Sequence, residues 1–405
     1  MAIEGSCAPR FDRVSEEFER NFTERDELGA SLCVMVDGEI VVDLWGGVAD
    51  AGSGKPWDRD TVQVICSATK GATALCGNML IDRGQLNPDK PVADYWPEFG
   101  KNGKDQVLVR QIFSHQSGVY HWGEQLPDGA VCEWSRVVQA LEDTAPFWPP
   151  GTRQGYHCFA LGYLVGELVR RIDGRSLGTF FADEVAQPMG LDFWIGLPSD
   201  LEPRVATTEL VDLSKLSPRV AKQVVNRKSL VGQIFSNDGG WIRGVDRPEF
   251  HAAELPAAGG VTNGRGLAGM YAPLAGDGHH GVQLVSPPSL ARMRTAQSAS
   301  DVDIVVGART SYTMGFSKSW SNPALGDGYS VIIGEDAFGT PGMGGQIGFA
   351  DPSCRMAFGY TTIRHGFGTG LNARSQSVID ATYQTVGSPT CEPGFWVRPS
   401  AAKAG

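Results

Sequence analysis

The 405-residue sequence predicts an α/β protein of the α+β type, with an antiparallel sheet built from both ends of the chain and flanked by helices. Three observations carry this. Apolar β-like runs occur before residue 50 and return only beyond about residue 300. The stretch between them has helical periodicity and long polar connections. Asp37-Gly38 joins the first two apolar runs, and Asp-Gly between such runs marks a tight hairpin. Strands at both ends around a helical middle imply one sheet interrupted by an inserted, mainly helical domain. The implied boundaries are 1–84 with 291–405 for the sheet part and 85–290 for the insert, with the active site at their interface.

In chain order, residues 11–28 place Phe11, Val14, Phe18 and Phe22 at spacings of three and four, the pattern of an amphipathic surface helix. The runs SLCVMV and EIVVDLWGGV follow as the hairpin strands. From Ser67 to Asp82 the pattern is helical and almost wholly apolar, with Lys70 its only cation and Gly84 its stop, so this helix is buried on most sides. VLVRQIFSHQSG reads as a short helix ending in a turn, and FALGYLVGELVRRIDG as an amphipathic helix that Gly174 ends. Residues 199–264 are polar and Gly-rich with weak periodicity, and read as extended loops. SYTMGFS, YSVIIG, GQIGFA and RMAFGYTT are spaced like antiparallel strands, and LNARSQSVIDATYQTV is a last helix before a Pro-rich tail. No repeat or low-complexity segment interrupts this order.

Composition excludes several classes. With 35 Lys and Arg against 46 Asp and Glu, the net charge of −11 opposes general nucleic-acid binding. No run of 18 apolar residues spans a membrane, and the charged N-terminal stretch lacks a signal-peptide core. The eight cysteines form no C-x-x-C pair, and Cys33, Cys66, Cys76 and Cys354 sit in apolar stretches as small hydrophobes. These features point to a cytoplasmic protein with reduced thiols. No H-E-x-x-H or other metal-ligand spacing involves the seven histidines at 115, 121, 157, 251, 279, 280 and 365, of which His279-His280 reads as a solvated loop pair. No nucleotide-binding glycine pattern follows a strand. Neither metal nor cofactor is expected.

Two Ser-x-x-Lys tetrapeptides remain, Ser67-Ala-Thr-Lys70 and Ser400-Ala-Ala-Lys403. Ser400 lies in a Pro-flanked tail with no core to position it. Ser67 follows the apolar VQVIC and opens the buried helix, where backbone N–H groups and the helix dipole favour developing negative charge. Three residues on, Lys70 shares its face, and an amine in so apolar a helix must be neutral, paired or employed. An N-cap serine beside a snorkelling lysine is the alternative that this motif alone leaves open. Gly174-Arg-Ser176-Leu-Gly178 fits G-x-S-x-G, yet a helix and not a strand precedes it, so Ser176 reads as the next helix's N-cap.

Further motifs follow Ser67 in order. Ile112-Phe-Ser-His-Gln-Ser-Gly118 resembles the LLxHxSG turn of the serine β-lactamase-like superfamily. Trp148-Pro-Pro-Gly-Thr-Arg-Gln-Gly-Tyr156-His-Cys resembles its Pro-Gly loop and tyrosine motif, and the helix–turn–helix after Tyr156 looks like the one that follows there. Leu255-Pro-Ala-Ala-Gly-Gly-Val-Thr-Asn263 and Thr340-Pro-Gly-Met-Gly-Gly-Gln-Ile-Gly348 resemble two later family segments, the second its Gly-rich third motif. The subgroup most resembled is the class C β-lactamase-like carboxylesterases, or family VIII esterases. That resemblance implies the sheet-and-insert fold, an acylated Ser67, and Lys70 with Tyr156 as its base pair. On that reading these two are expected to share the serine proton, with Tyr156 protonating the leaving alkoxide and activating water for deacylation. The resemblance also implies an oxyanion held by the N–H groups of Ser67 and of the Gly-rich strand near Met343, with Gly344 and Thr340 beside it.

Two departures stand out: Cys158 replaces the asparagine of Tyr-x-Asn, and Thr340 replaces a lysine that helps hold a β-lactam carboxylate, which lowers the expected β-lactam hydrolysis. His157 reads either as a substrate-orienting group or as a packed imidazole, and Trp122, Phe193 and Trp194 either as acyl-pocket lining or as core. The function implied is hydrolysis of small carboxylic esters, with no nucleic-acid or membrane partner. Acyltransfer, amide hydrolysis and a non-catalytic binding protein on the same scaffold are the alternatives.

Overall fold

The protein was analysed as a computed structural model that describes residues 3–210, 218–276, 278–279, 281–366 and 368–391. Ser400, Lys403, His280 and most of the Pro-rich tail lie outside the described residues.

The main sheet is antiparallel throughout, in the order Ile3–Cys7, Glu39–Asp50, Gly29–Val36, Met356–Thr362, Ile347–Asp351 and Phe338–Pro341, with Lys55–Pro56 paired to the far end of the second. Asp37 and Gly38 both take positive φ, as the predicted two-residue hairpin requires. The centre of the sheet therefore pairs an N-terminal strand with a C-terminal one, Leu32 lying opposite Tyr360. Side chains alternate between faces. Leu32, Val34, Phe358 and Tyr360 pack against Val14 and Phe18 of the helix Asp12–Glu24 and Val378 of the helix Ala373–Val386. Cys33, Met35 and Ala357 face the other way, toward Leu267 and Tyr271 of the helix Gly264–Tyr271. That last helix falls in the stretch assigned from sequence to the insert, yet it packs directly on the sheet: a Cβ on Gly359 would come within 2.3 Å of the Gly264 carbonyl oxygen.

On the same side lies the helix Thr69–Asp82, buried at every position from Thr69 to Ile81. Around it gather Val109–Phe113, Trp134–Asp143, Ala160–Asp173 and Leu177–Phe181. Gly77 gives this packing its closeness, since a Cβ there would meet Phe113 at 2.6 Å. Gly84 and Gly174 take positive φ at the two predicted helix stops.

Two expectations are corrected. Residues 199–264 are not all extended loop, for they contain helices Pro218–Val225, Leu230–Ser236, Trp241–Gly244 and Pro248–Ala252 and a strand Gly260–Thr262. Each is short, and the overall polarity of the segment masks its period. YSVIIG forms no ladder strand. Val331, Ile332 and Ile333 are wholly buried, and the Gln376 side chain satisfies both backbone groups of Ile332, at 3.2 and 2.8 Å. A helix side chain thus replaces a neighbouring strand. All eight cysteines are free, with Cys33, Cys66 and Cys76 buried and Cys354 half-buried. Among the described residues no helix is long and apolar enough to cross a membrane.

Candidate active site

Ser67 sits in the tight turn Cys66–Ala68 that opens the buried helix. Its Oγ accepts hydrogen bonds from Lys70 Nζ and from the Tyr156 hydroxyl, each at 2.9 Å. One helical turn separates serine and lysine, so their approach is built into the spacing. Tyr156 arrives from a loop 89 residues away. Lys70 also donates to the Ala257 carbonyl at 2.9 Å, and its amine lies 5.1 Å from the centre of the Tyr156 ring. Burial pushes the Lys70 amine down to about 8, against a smaller upward pull from the Cys158 and Cys66 thiols. Burial likewise pushes the Tyr156 phenol up, which keeps it protonated near neutral pH. Burial thus favours the neutral form of both groups.

Tyr156 is fixed by groups that sequence reading missed. Its backbone N–H binds Asp303 Oδ1 at 3.1 Å, and the same carboxylate accepts from the N–H groups of Val305 and Val306. Its ring stacks on Tyr312 and leans on His115, with centroids 6.3 and 5.1 Å apart. His115 Nδ1 in turn accepts the backbone N–H of His157. Asp303 lies 147 residues from Tyr156 and carries no motif of its own.

The pocket in front of Ser67 encloses about 120 Å³. One wall is Tyr156, Cys158 and Phe159; the facing wall is Val231, Ile234, Phe235, Trp241 and Ile242; Gly342 and Met343 close it beside the nucleophile. Among the described residues that line it, none carries a charged side chain. The second wall falls within the stretch read as loop, although Val231, Ile234 and Phe235 at spacings of three and four after Ser229 were a readable helix signal.

Several expected site residues are placed elsewhere. His157 is fully buried, with Nε2 2.6 Å from Ser117 Oγ and Nδ1 2.6 Å from the Gly155 carbonyl. Both ring nitrogens are used inside the fold, so it packs and does not orient a substrate. Trp122 donates to the Asn237 carbonyl and rests behind Phe159, outside the pocket lining. Phe193 and Trp194 belong to a small three-stranded sheet with Gln63–Val64 and Gly260–Thr262, and are also absent from the lining. Thr340 is buried behind Lys70 and Tyr156, where it lines a narrow recess with them and Tyr312 instead of the pocket in front of Ser67. Gly344, at φ +89°, turns the loop after Met343, and its carbonyl is held by Asn372 and Arg374. Ser176 caps the next helix by accepting from Thr179 N–H, as its context predicted, and donates to Glu254.

Comparisons with known proteins bear on the family and the fold. The family model described as Beta-lactamase matches residues 17–381. Esterase/beta-lactamase LipL of Mycobacterium tuberculosis is 32% identical over 375 residues, which cover 87% of this chain and 81% of LipL. A penicillin-binding protein homologue from Caulobacter crescentus superposes with a TM-score of 0.83 at 33% identity, covering 95% of this chain and 100% of that one. A family VIII carboxylesterase superposes with a TM-score of 0.80 at 34% identity, with the same 95% and 100% coverage. On its sequence match, its sheet and its helices together, this chain belongs to the beta-lactamase family and is a serine hydrolase.

Proposed function

We propose that this serine hydrolase is a carboxylesterase acting on small, uncharged carboxylic esters through an acyl-enzyme on Ser67. The observation that carries the reading is the pairing of Ser67 with both Lys70 and Tyr156 beside a pocket that no charged side chain lines among the described residues. A serine hydroxyl needs an adjacent base, and neutral Lys70 supplies it. Ser67 Oγ attacks the ester carbonyl as its proton passes to the amine. The tetrahedral oxyanion is held by the backbone N–H groups of Ser67 and Met343. The carbon–alkoxide bond then breaks, the alkoxide takes the Tyr156 proton, and the lysine ammonium reprotonates the phenol. In the second half water attacks the acyl carbon and gives its proton to the same pair, which returns one to Ser67 Oγ as the acid leaves. The name of LipL mentions β-lactamase, but a β-lactam carries a carboxylate, and among the described residues lining this pocket there is no cation to meet it.

The test is a panel of aryl esters graded by acyl length, run beside a cephalosporin and with an added alcohol acceptor. Ester turnover far above cephalosporin turnover, abolished in Ser67→Ala, is expected. Equal rates on both substrate classes, or acyl transfer to the alcohol exceeding hydrolysis, would overturn the esterase assignment.

A further inference from the structure

The residue before the nucleophile, Cys66, is fully buried and has φ +48°, a left-handed conformation that a side chain of this kind adopts at a penalty of about 1–2 kcal/mol. Something must hold the turn there. The Thr69 hydroxyl donates to the Cys66 carbonyl at 2.6 Å and His365 Nε2 lies 3.5 Å from the Cys66 Sγ, but Gln346 is the group that also reaches the facing loop. It is wholly buried, and its Nε2 donates to the Val64 carbonyl at 3.1 Å and to the Met343 carbonyl at 3.3 Å while lying 3.7 Å from Cys66 Sγ. The first contact is to the strand that leads into Ser67, and the second is to the loop that closes the pocket. Its backbone carbonyl also accepts Gly342 N–H at 2.6 Å, so one residue ties the loop by main chain and side chain together. The two segments it joins already touch, since a Cβ on Gly342 would lie 2.4 Å from the Ile65 carbonyl oxygen.

The orientation of the amide is set by its surroundings, because the reverse flip would aim Oε1 at two carbonyl oxygens. In this orientation Oε1 has no hydrogen-bond partner among the described residues. A buried acceptor left unpaired costs about 1–3 kcal/mol, and an apolar side chain of the same volume avoids that cost. A purely structural filler is therefore poorly served by glutamine.

We infer that Gln346 is a positioning residue that fixes the spacing between the backbone N–H of Ser67 and that of Met343, the two donors to the oxyanion. The inference rests on the esterase reading of the site. Its effect falls on the transition state, where the oxyanion develops, and not on the substrate's ground state.

Gln346→Met keeps the volume and removes both donors. The expected result is a fall in kcat of about 10- to 100-fold, with KM within about twofold and a matching loss of affinity for phenylboronic acid, which forms a tetrahedral serine adduct. Gln346→Asn, whose amide is one methylene too short to reach both carbonyls, is read the same way should the methionine variant fail to fold. A kcat within threefold of wild type, or a loss confined to KM, overturns the inference. Labelling by a fluorophosphonate separates the two levels. Wild type that takes no label on Ser67 overturns the esterase reading itself, whereas normal Ser67 labelling with an unaffected Gln346→Met overturns only the role of Gln346.

Discussion

Lys70 and Lys104 are two buried lysines with nearly the same surroundings and different consequences. Each amine donates two hydrogen bonds, each lies just over 5 Å from an aromatic ring centre, and burial pushes each down to about 8. Lys104 gives both bonds to carbonyls, those of Glu142 and Thr144, and closes a loop onto a helix end. Lys70 gives one bond to the Ala257 carbonyl and the other to the Ser67 hydroxyl. A carbonyl has no proton to surrender; a hydroxyl does. The lowered amine is thus common to both lysines, and on the proposed reading the hydroxyl partner is what makes Lys70 a base where Lys104 is a brace.

This comparison can be broken most forcefully by substitution. Lys70→Met is expected to lower kcat/KM on aryl esters by at least about a thousandfold, since both the proton acceptor and its oriented partner are lost. Its stability should change little, because relief of the lysine's burial, about 3 kcal/mol, offsets the loss of one carbonyl bond, about 1–3 kcal/mol. Lys104→Met should leave kcat within about twofold while lowering the melting temperature, because two carbonyls lose their donor, about 2–6 kcal/mol against the same relief of about 3 kcal/mol. Activity loss in the Lys104 variant comparable to that in the Lys70 variant would erase the distinction.

Next in size is Tyr156→Phe, which removes the phenolic proton and keeps the ring stacked on Tyr312; kcat should fall about 100-fold or more. The pH dependence sharpens the contrast further. Activity should rise with pH through an apparent midpoint near 8, as Lys70 becomes neutral, and a flat profile from pH 6 to 9 would exclude it as the base. Stability follows the same direction for both lysines. Their folded pKa lies below the unfolded 10.5, so the unfolded chain binds more protons between about 8 and 10.5. Below pH 8 the full penalty of burying the amines applies, and it is relieved as pH rises through that window. Equilibrium denaturation should show the lysine contribution as a smaller pH slope there in Lys70→Met than in wild type.

That Ser67, Lys70 and Tyr156 meet was legible because two of them are three residues apart on one helix and the third sits in an ordered series of motifs. The sheet was legible at its ends for a similar local reason, a hairpin turn and alternating runs. What escaped was set by distance. Asp303 anchors Tyr156 from a loop with no signature, and Gln376 turns an apolar run into a buried non-strand by reaching its backbone from a helix. Trp122 and His157 look like site residues in one dimension because they flank the motifs, yet their polar atoms are consumed inside the fold. Val231, Ile234 and Phe235 had the helical spacing but in a segment whose overall polarity masked it.

The central claim is that Ser67 becomes acylated. Mass spectrometry of the protease-digested enzyme, quenched during turnover of a slowly deacylating aryl ester, addresses it directly. The acyl mass is expected on the peptide containing Ser67 and is absent in Ser67→Ala. The acyl mass on Ser176, or turnover that persists in Ser67→Ala, would contradict it.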